Sequence, residues 1–105
     1  MNEKVKWRVL PITTNSAAMN MAIDESIMAS IRNGNSTPTI RFYRWQPSAV
    51  SIGYFQGLHQ EAATDVCKKL NIDVVRRWTG GGAVYHDYDG EITYSVIAPE
   101  NMFPK

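Results

Sequence analysis

The sequence predicts an α+β domain, with a mixed, largely antiparallel sheet and helices on one side. Three observations point there. One segment near the N-terminus repeats apolar residues at a helical period. Several short runs rich in β-branched and aromatic residues are punctuated by glycine and proline, as strands are. At 105 residues the chain has room for one domain with a modest core.

Trp7 to Ile12 reads as the first strand. Asn15 or Ser16 can cap the helix that follows, because a short polar side chain accepts from the first free N–H groups. That helix runs to about Arg32, and Gly34 stops it. Met19, Ile23, Ile27 and Ile31 recur along it, with Ala22 and Ala29 alongside, and read as a core stripe. Asp24 and Glu25 read as its solvated face. Pro38 stands at the edge of the next strand, Thr39 to Trp45, where a missing N–H is tolerated. Pro47-Ser48 turns the chain into a strand from Val50 to Gly53. Gln60 to Leu70 reads as a second helix, with Cys67 as a small core residue in it. Ile72 to Arg77 and Ala83 to His86 are extended runs on either side of a loop. The last strand spans Glu91 to Ala98 and is expected to leave an open edge, which recruits partners.

Composition narrows the class. The chain is 44% hydrophobic and 20% charged, with a formal charge of +1. That balance gives no general attraction to nucleic acid or to an anionic membrane. No apolar run approaches the length that spans a bilayer, and Lys4, Lys6 and Arg8 interrupt any signal-peptide core. One cysteine cannot form an internal disulfide, so a cytoplasmic setting is expected. No metal site is expected either. The two histidines, His59 and His86, lie far apart and Cys67 stands alone, whereas structural zinc takes about four closely spaced ligands.

The chemistry concentrates in Arg76-Arg77-Trp78-Thr79-Gly80-Gly81-Gly82-Ala83-Val84-Tyr85-His86-Asp87. Three consecutive glycines place bare N–H groups at one point, which suits a carboxylate or phosphate. Arginine beside them offers a planar, permanently charged fork for the same oxyanions. The segment joins two strands and opens no helix, unlike a Walker loop or a dinucleotide fingerprint. A glycine-rich hairpin with a solvated arginine pair is the plain alternative. His86 and Asp87 are neighbours on a strand and point to opposite faces, so Asp87 is not expected to orient the imidazole. Asp87 is expected to brace the turn, and His86 to face the site.

This segment resembles the signature of the lipoate–protein ligase A family, which includes octanoyltransferases. Three further segments are similar to the family in the right order. They are Met19 to Ile27, Arg41 to Pro47 with Ser51 to Gln56, and Glu91 to Val96. The resemblance runs from about Val9 to Val96, with Tyr88-Asp89 making the turn after Asp87 one residue longer than the ligase pattern. It implies the fold shared with biotin ligases and class II synthetases, truncated here, with residues 1–105 as the N-terminal part of the catalytic domain.

The family's decisive lysine or cysteine would follow Lys105, so no catalytic residue is assigned. The resemblance implies a substrate site of Arg77, Thr79, Gly80, Gly81, Gly82 and His86. It implies a nucleotide site of Arg77, Gly82, Ala83, Val84 and Tyr85. The leading expectation is a ligase that activates lipoate with ATP and Mg2+ to acyl-AMP and passes the acyl group to a carrier lysine. The carrier would be the lipoyl domain of a 2-oxoacid dehydrogenase or the glycine cleavage H protein, with a second chain possible to complete the domain. Octanoyl transfer from acyl carrier protein without ATP is the alternative. A non-catalytic acyl-binding or regulatory subunit is the alternative of another class. A nucleic-acid module lacks a basic face beyond Arg41/Arg44 and Arg76/Arg77.

Overall fold

Two three-stranded mixed sheets and one long helix organise the chain in a computed structural model that describes residues 4–57 and 64–103. The first strand, β1 (Arg8–Asn15), leads into α1 (Ala17–Arg32), then β2 (Thr39–Trp45) and β3 (Ala49–Ile52). A short helix α2 (Thr64–Lys69) precedes β4 (Asp73–Arg76), β5 (Val84–His86) and β6 (Thr93–Ile97). The chain ends in a 3₁₀ turn, Glu100–Met102. The expected second helix began at Gln60, but only its Thr64–Lys69 portion lies within the described residues. None of the described helices is long and apolar enough to cross a membrane.

The first sheet has the order β1-β2-β6, with β1 parallel and β6 antiparallel to β2. The second has the order β4-β3-β5, with β4 parallel and β5 antiparallel to β3. As expected from the sequence, the last strand lies at a sheet edge among the described residues.

Helix α1 starts where Ser16 caps it, its side chain accepting from the Met19 N–H at 3.2 Å. It stops before Gly34, whose φ of +77° suits glycine. The Ala17 N–H also donates to Asp73 at 3.4 Å, tying the helix start to β4. The core gathers Ala17 and Met21 of α1 with Tyr43, Trp45 and Ala49.

The apolar stripe of α1 is rotated from its expected position. Ile27 and Ile31 are buried, but Met19 is exposed and the inner face includes Asn20 and Met21. The reason lies opposite, on β2. Its alternate residues Thr39, Arg41, Tyr43 and Trp45 all point inward, so the helix turns a polar group toward an arginine. Asp24 therefore does not sit on a solvated face, which corrects the sequence reading. It pairs with buried Arg41 at 2.7 Å and accepts from Ser95 at 2.9 Å.

Candidate functional site

Arg76 ends β4, Arg77 follows it, and the glycine segment then crosses to β5. The two strands it joins are not paired with each other. They flank β3 on opposite sides, so the segment bridges the end of β3 and is no hairpin. Gly53, just beyond β3, makes the crossing possible. A Cβ there would lie 2.0 Å from the Gly81 carbonyl oxygen. Gly81 has φ +100°, a conformation that other residues rarely adopt. Tyr54 N–H donates to the Thr79 carbonyl at 2.9 Å and pins the same crossing.

The two arginines split their work. Arg76 donates to the carbonyls of Tyr54 at 2.8 Å and Gln56 at 2.6 Å, bracing the turn after β3. Arg77 sits inside the loop. One of its terminal nitrogens donates to the Ser51 carbonyl at 3.0 Å and hydroxyl at 2.9 Å. The other donates to the carbonyls of Gly80 at 2.9 Å and Gly82 at 2.7 Å. All four partners are neutral. Among the described residues no carboxylate pairs with Arg77, so its charge is uncompensated. With their carbonyls drawn to Arg77, Gly80 and Gly82 are exposed, and no atom stands within 4 Å of where a Cβ would be. Space for a ligand therefore lies directly over the loop backbone.

Arg77, Trp78 and Thr79 line a cleft of roughly 480 Å3 between the loop, α1 and β6. Met21, Met28, Val96, Ile97 and Phe103 give it apolar walls. Asp24, Tyr43, Thr93 and Ser95 supply polar atoms on its floor. Burial, the largest of several influences, raises the Tyr43 hydroxyl pKa above its usual value.

The remaining expected site residues lie elsewhere. Tyr85 lies along a second cleft of roughly 480 Å3, with Ser48, Leu70 and Tyr88, and its hydroxyl donates to Asp87 at 3.1 Å. Ala83 and Val84 are exposed at the start of β5. His86 does not line the first cleft. It is only 7% exposed, stacked on Trp45 at 4.1 Å between ring centres. Its Nε2 lies 2.7 Å from the Ser51 hydroxyl and its Nδ1 2.6 Å from Glu91. Asp87 braces the turn, accepting from the Gly90 N–H at 2.8 Å, as the strand geometry led us to expect. Cys67 is buried in α2.

Sequence reasoning missed Asn20, Arg41, Ser51 and Glu91. Arg41 had a signal: it alternates with Tyr43 and Trp45 along β2, so one face must take all three. Its guanidinium stacks 3.9 Å over the Tyr43 ring and donates to the Asn20 side chain at 2.6 Å. Ser51 and Glu91 had none, because they meet only through His86.

The family model of the lipoyl protein ligase A/B catalytic domain matches residues 16–105. Among curated relatives, the octanoyltransferase LipM of Clostridioides difficile is 50% identical over 96 residues, 91% of this chain and 35% of its own length. The LipM of Moorella thermoacetica is 46% identical over 90% of this chain and 34% of its own. Among solved structures, a putative lipoate protein ligase from T. acidophilum with bound lipoic acid superposes with a TM-score of 0.74 at 43% identity. It is matched over 87% of this chain and 37% of that one. A bipartite lipoate protein ligase from Thermoplasma acidophilum, described with its E2 lipoyl domain, gives 0.75 at 42%, over 89% of this chain and 36% of that one. A lipoate–protein ligase A bound with ATP gives 0.72 at 41%, over 90% and 36%.

The chain thus spans about a third of the length of the curated relatives it matches. These relatives correct the leading sequence reading: they are octanoyltransferases, so ATP-dependent ligation gives way to the alternative. This chain belongs to the lipoyl protein ligase A/B catalytic domain family.

Proposed function

We propose that the chain is the N-terminal part of an octanoyltransferase domain, contributing its acyl-binding face. The reaction would move an octanoyl group from acyl carrier protein to a lysine of a lipoyl carrier domain, without ATP. The acceptor would be a lipoyl domain of a 2-oxoacid dehydrogenase or the glycine cleavage H protein, in a cytoplasmic setting. In sum, a thioester and an amine give an amide and a free thiol. No step needs a nucleotide or magnesium, so Ala83, Val84 and Tyr85 carry no nucleotide in this reading.

One observation supports it above others: an uncompensated Arg77 holds the glycine loop at the rim of an apolar cleft. The cleft walls suit a short acyl chain, since burying each methylene contributes about 0.8 kcal/mol. The reacting carbonyl would lie near Thr79 and the loop, where Gly80 to Gly82 and the Arg77 charge would stabilise developing negative charge on its oxygen. Arg77 would act chiefly by holding the loop and by its field, because its terminal donors are occupied within the fold. Among the described residues the cysteine, Cys67, is buried in α2 and away from the cleft. The resemblance implies a cysteine after Lys105 as the nucleophile.

The test uses the longer polypeptide that carries this sequence, with octanoyl acyl carrier protein and a lipoyl domain. Octanoylation of the domain lysine without ATP is the expected result. Modification that requires ATP and free octanoate or lipoate would overturn the assignment.

A further inference from the structure

His86 was expected to face substrate, yet it is buried and bonded at both ring nitrogens. A carboxylate only accepts, so Nδ1 must carry the proton given to Glu91. In the neutral ring Nε2 then holds a lone pair, and the Ser51 hydroxyl donates to it at 2.7 Å. That orients the Ser51 oxygen lone pairs away from His86 and toward Arg77, which donates to it at 2.9 Å. Arg77 in turn holds the carbonyls of Gly80 and Gly82. Every donor meets an acceptor along this path.

The far end is anchored as well. Thr93 donates to the Glu91 carboxylate, and the Trp45 indole donates to Thr93 at 2.8 Å. Trp45 also stacks on the imidazole within 12° of parallel, which fixes the ring plane. Trp45 and Thr93 belong to the first sheet, Ser51 and His86 to the second. The path therefore ties the packing of the two sheets to the conformation of one loop.

We propose that His86 is a positioning residue: Glu91, His86 and Ser51 form a buried, one-directional hydrogen-bond chain that ends on Arg77 and sets the Gly80–Gly82 loop. Ser51 is fully buried, so this serine–histidine–glutamate set presents no nucleophile to substrate. Its product is the loop geometry. The importance of that geometry for acyl transfer rests on the octanoyltransferase reading, but the chain of bonds does not.

The experiment is therefore made without substrate, on the 105-residue chain labelled with 15N. The ring spectrum of His86 is expected to show a protonated Nδ1 and a bare Nε2. The opposite tautomer would overturn the proposal, and this measurement needs no variant. Three variants test transmission. Glu91→Ala and Ser51→Ala should shift the Gly80 and Gly82 amide signals and speed tryptic cleavage after Arg77 roughly tenfold, the scale of one lost hydrogen bond. Glu91→Gln keeps an acceptor for Nδ1 and should restore the wild-type cleavage rate. Unchanged loop signals and cleavage in folded Glu91→Ala, or no rescue by Glu91→Gln, would also overturn it. Failure of octanoyl transfer in the longer polypeptide, with these signatures intact, would count against the functional reading alone.

Discussion

Arg41 and Arg77 hold the same charge in opposite ways, and the contrast separates the core behind the cleft from its rim. Arg41 is 2% exposed and is neutralised by Asp24 at 2.7 Å, with Asn20 filling further donors. Arg77 is partly exposed, and only neutral carbonyls and a hydroxyl meet it. A buried charge must be paired, because removing it from water costs several kcal/mol per ion. A charge at a rim keeps part of its hydration and can be left without a counter-ion. One arginine is thus paired within the core, and the other is left without a counter-ion at the cleft.

That division can be broken first in the core. Arg41→Ala leaves Asp24 partly buried without its counter-ion, and should destabilise the chain by about 3–5 kcal/mol, read in a urea titration. A loss under about 1 kcal/mol would mean that the pair is not structural. The next test concerns the crossing itself. Gly53→Ala pushes a methyl into the Gly81 carbonyl and should cost about 1–3 kcal/mol while displacing the loop. Melting temperature and Trp78 fluorescence read both effects.

At the rim, Arg77→Ala should leave global stability within about 1–2 kcal/mol of wild type, since solvent replaces part of what is lost. It should still weaken binding of an octanoyl thioester analogue in calorimetry. Unchanged affinity would remove Arg77 from the site. Gly82→Ala meets open space and no positive φ, so its stability should stay within about 0.5 kcal/mol of wild type. Any loss of ligand affinity in that variant then reports occupancy over the loop.

The smallest effect at neutral pH concerns Tyr43. Its pKa is raised in the fold, so between its ordinary and raised values the unfolded chain loses its proton while the folded chain keeps it. Stability should fall as pH rises past about 10. Tyr43→Phe should flatten that decline and change little below pH 9 or so, as chemical denaturation across pH would show.

Much of the fold was legible in the residue order. The cap at Ser16 and the stop before Gly34 are local rules, and the structure obeys them. The signature segment also declared itself, because three glycines beside arginines are a chemical arrangement before they are a shape. The stripe on α1 was misread because helical period defines a face but not what lies opposite it. Arg41 on β2 selected Asn20 and Asp24 over Met19.

The sequence by itself determined that this is an α+β chain with a glycine- and arginine-rich loop between two strands. Tertiary structure alone decided that those strands flank β3, that Arg77 folds back to hold the loop, and that His86 is buried between Ser51 and Glu91. Each of these joins residues far apart in the chain: Ser51 and His86 are 35 positions apart, and Trp45 and Thr93 are 48. No local propensity reports such a meeting. It is fixed only when the two sheets pack and every polar group they bury must find a partner.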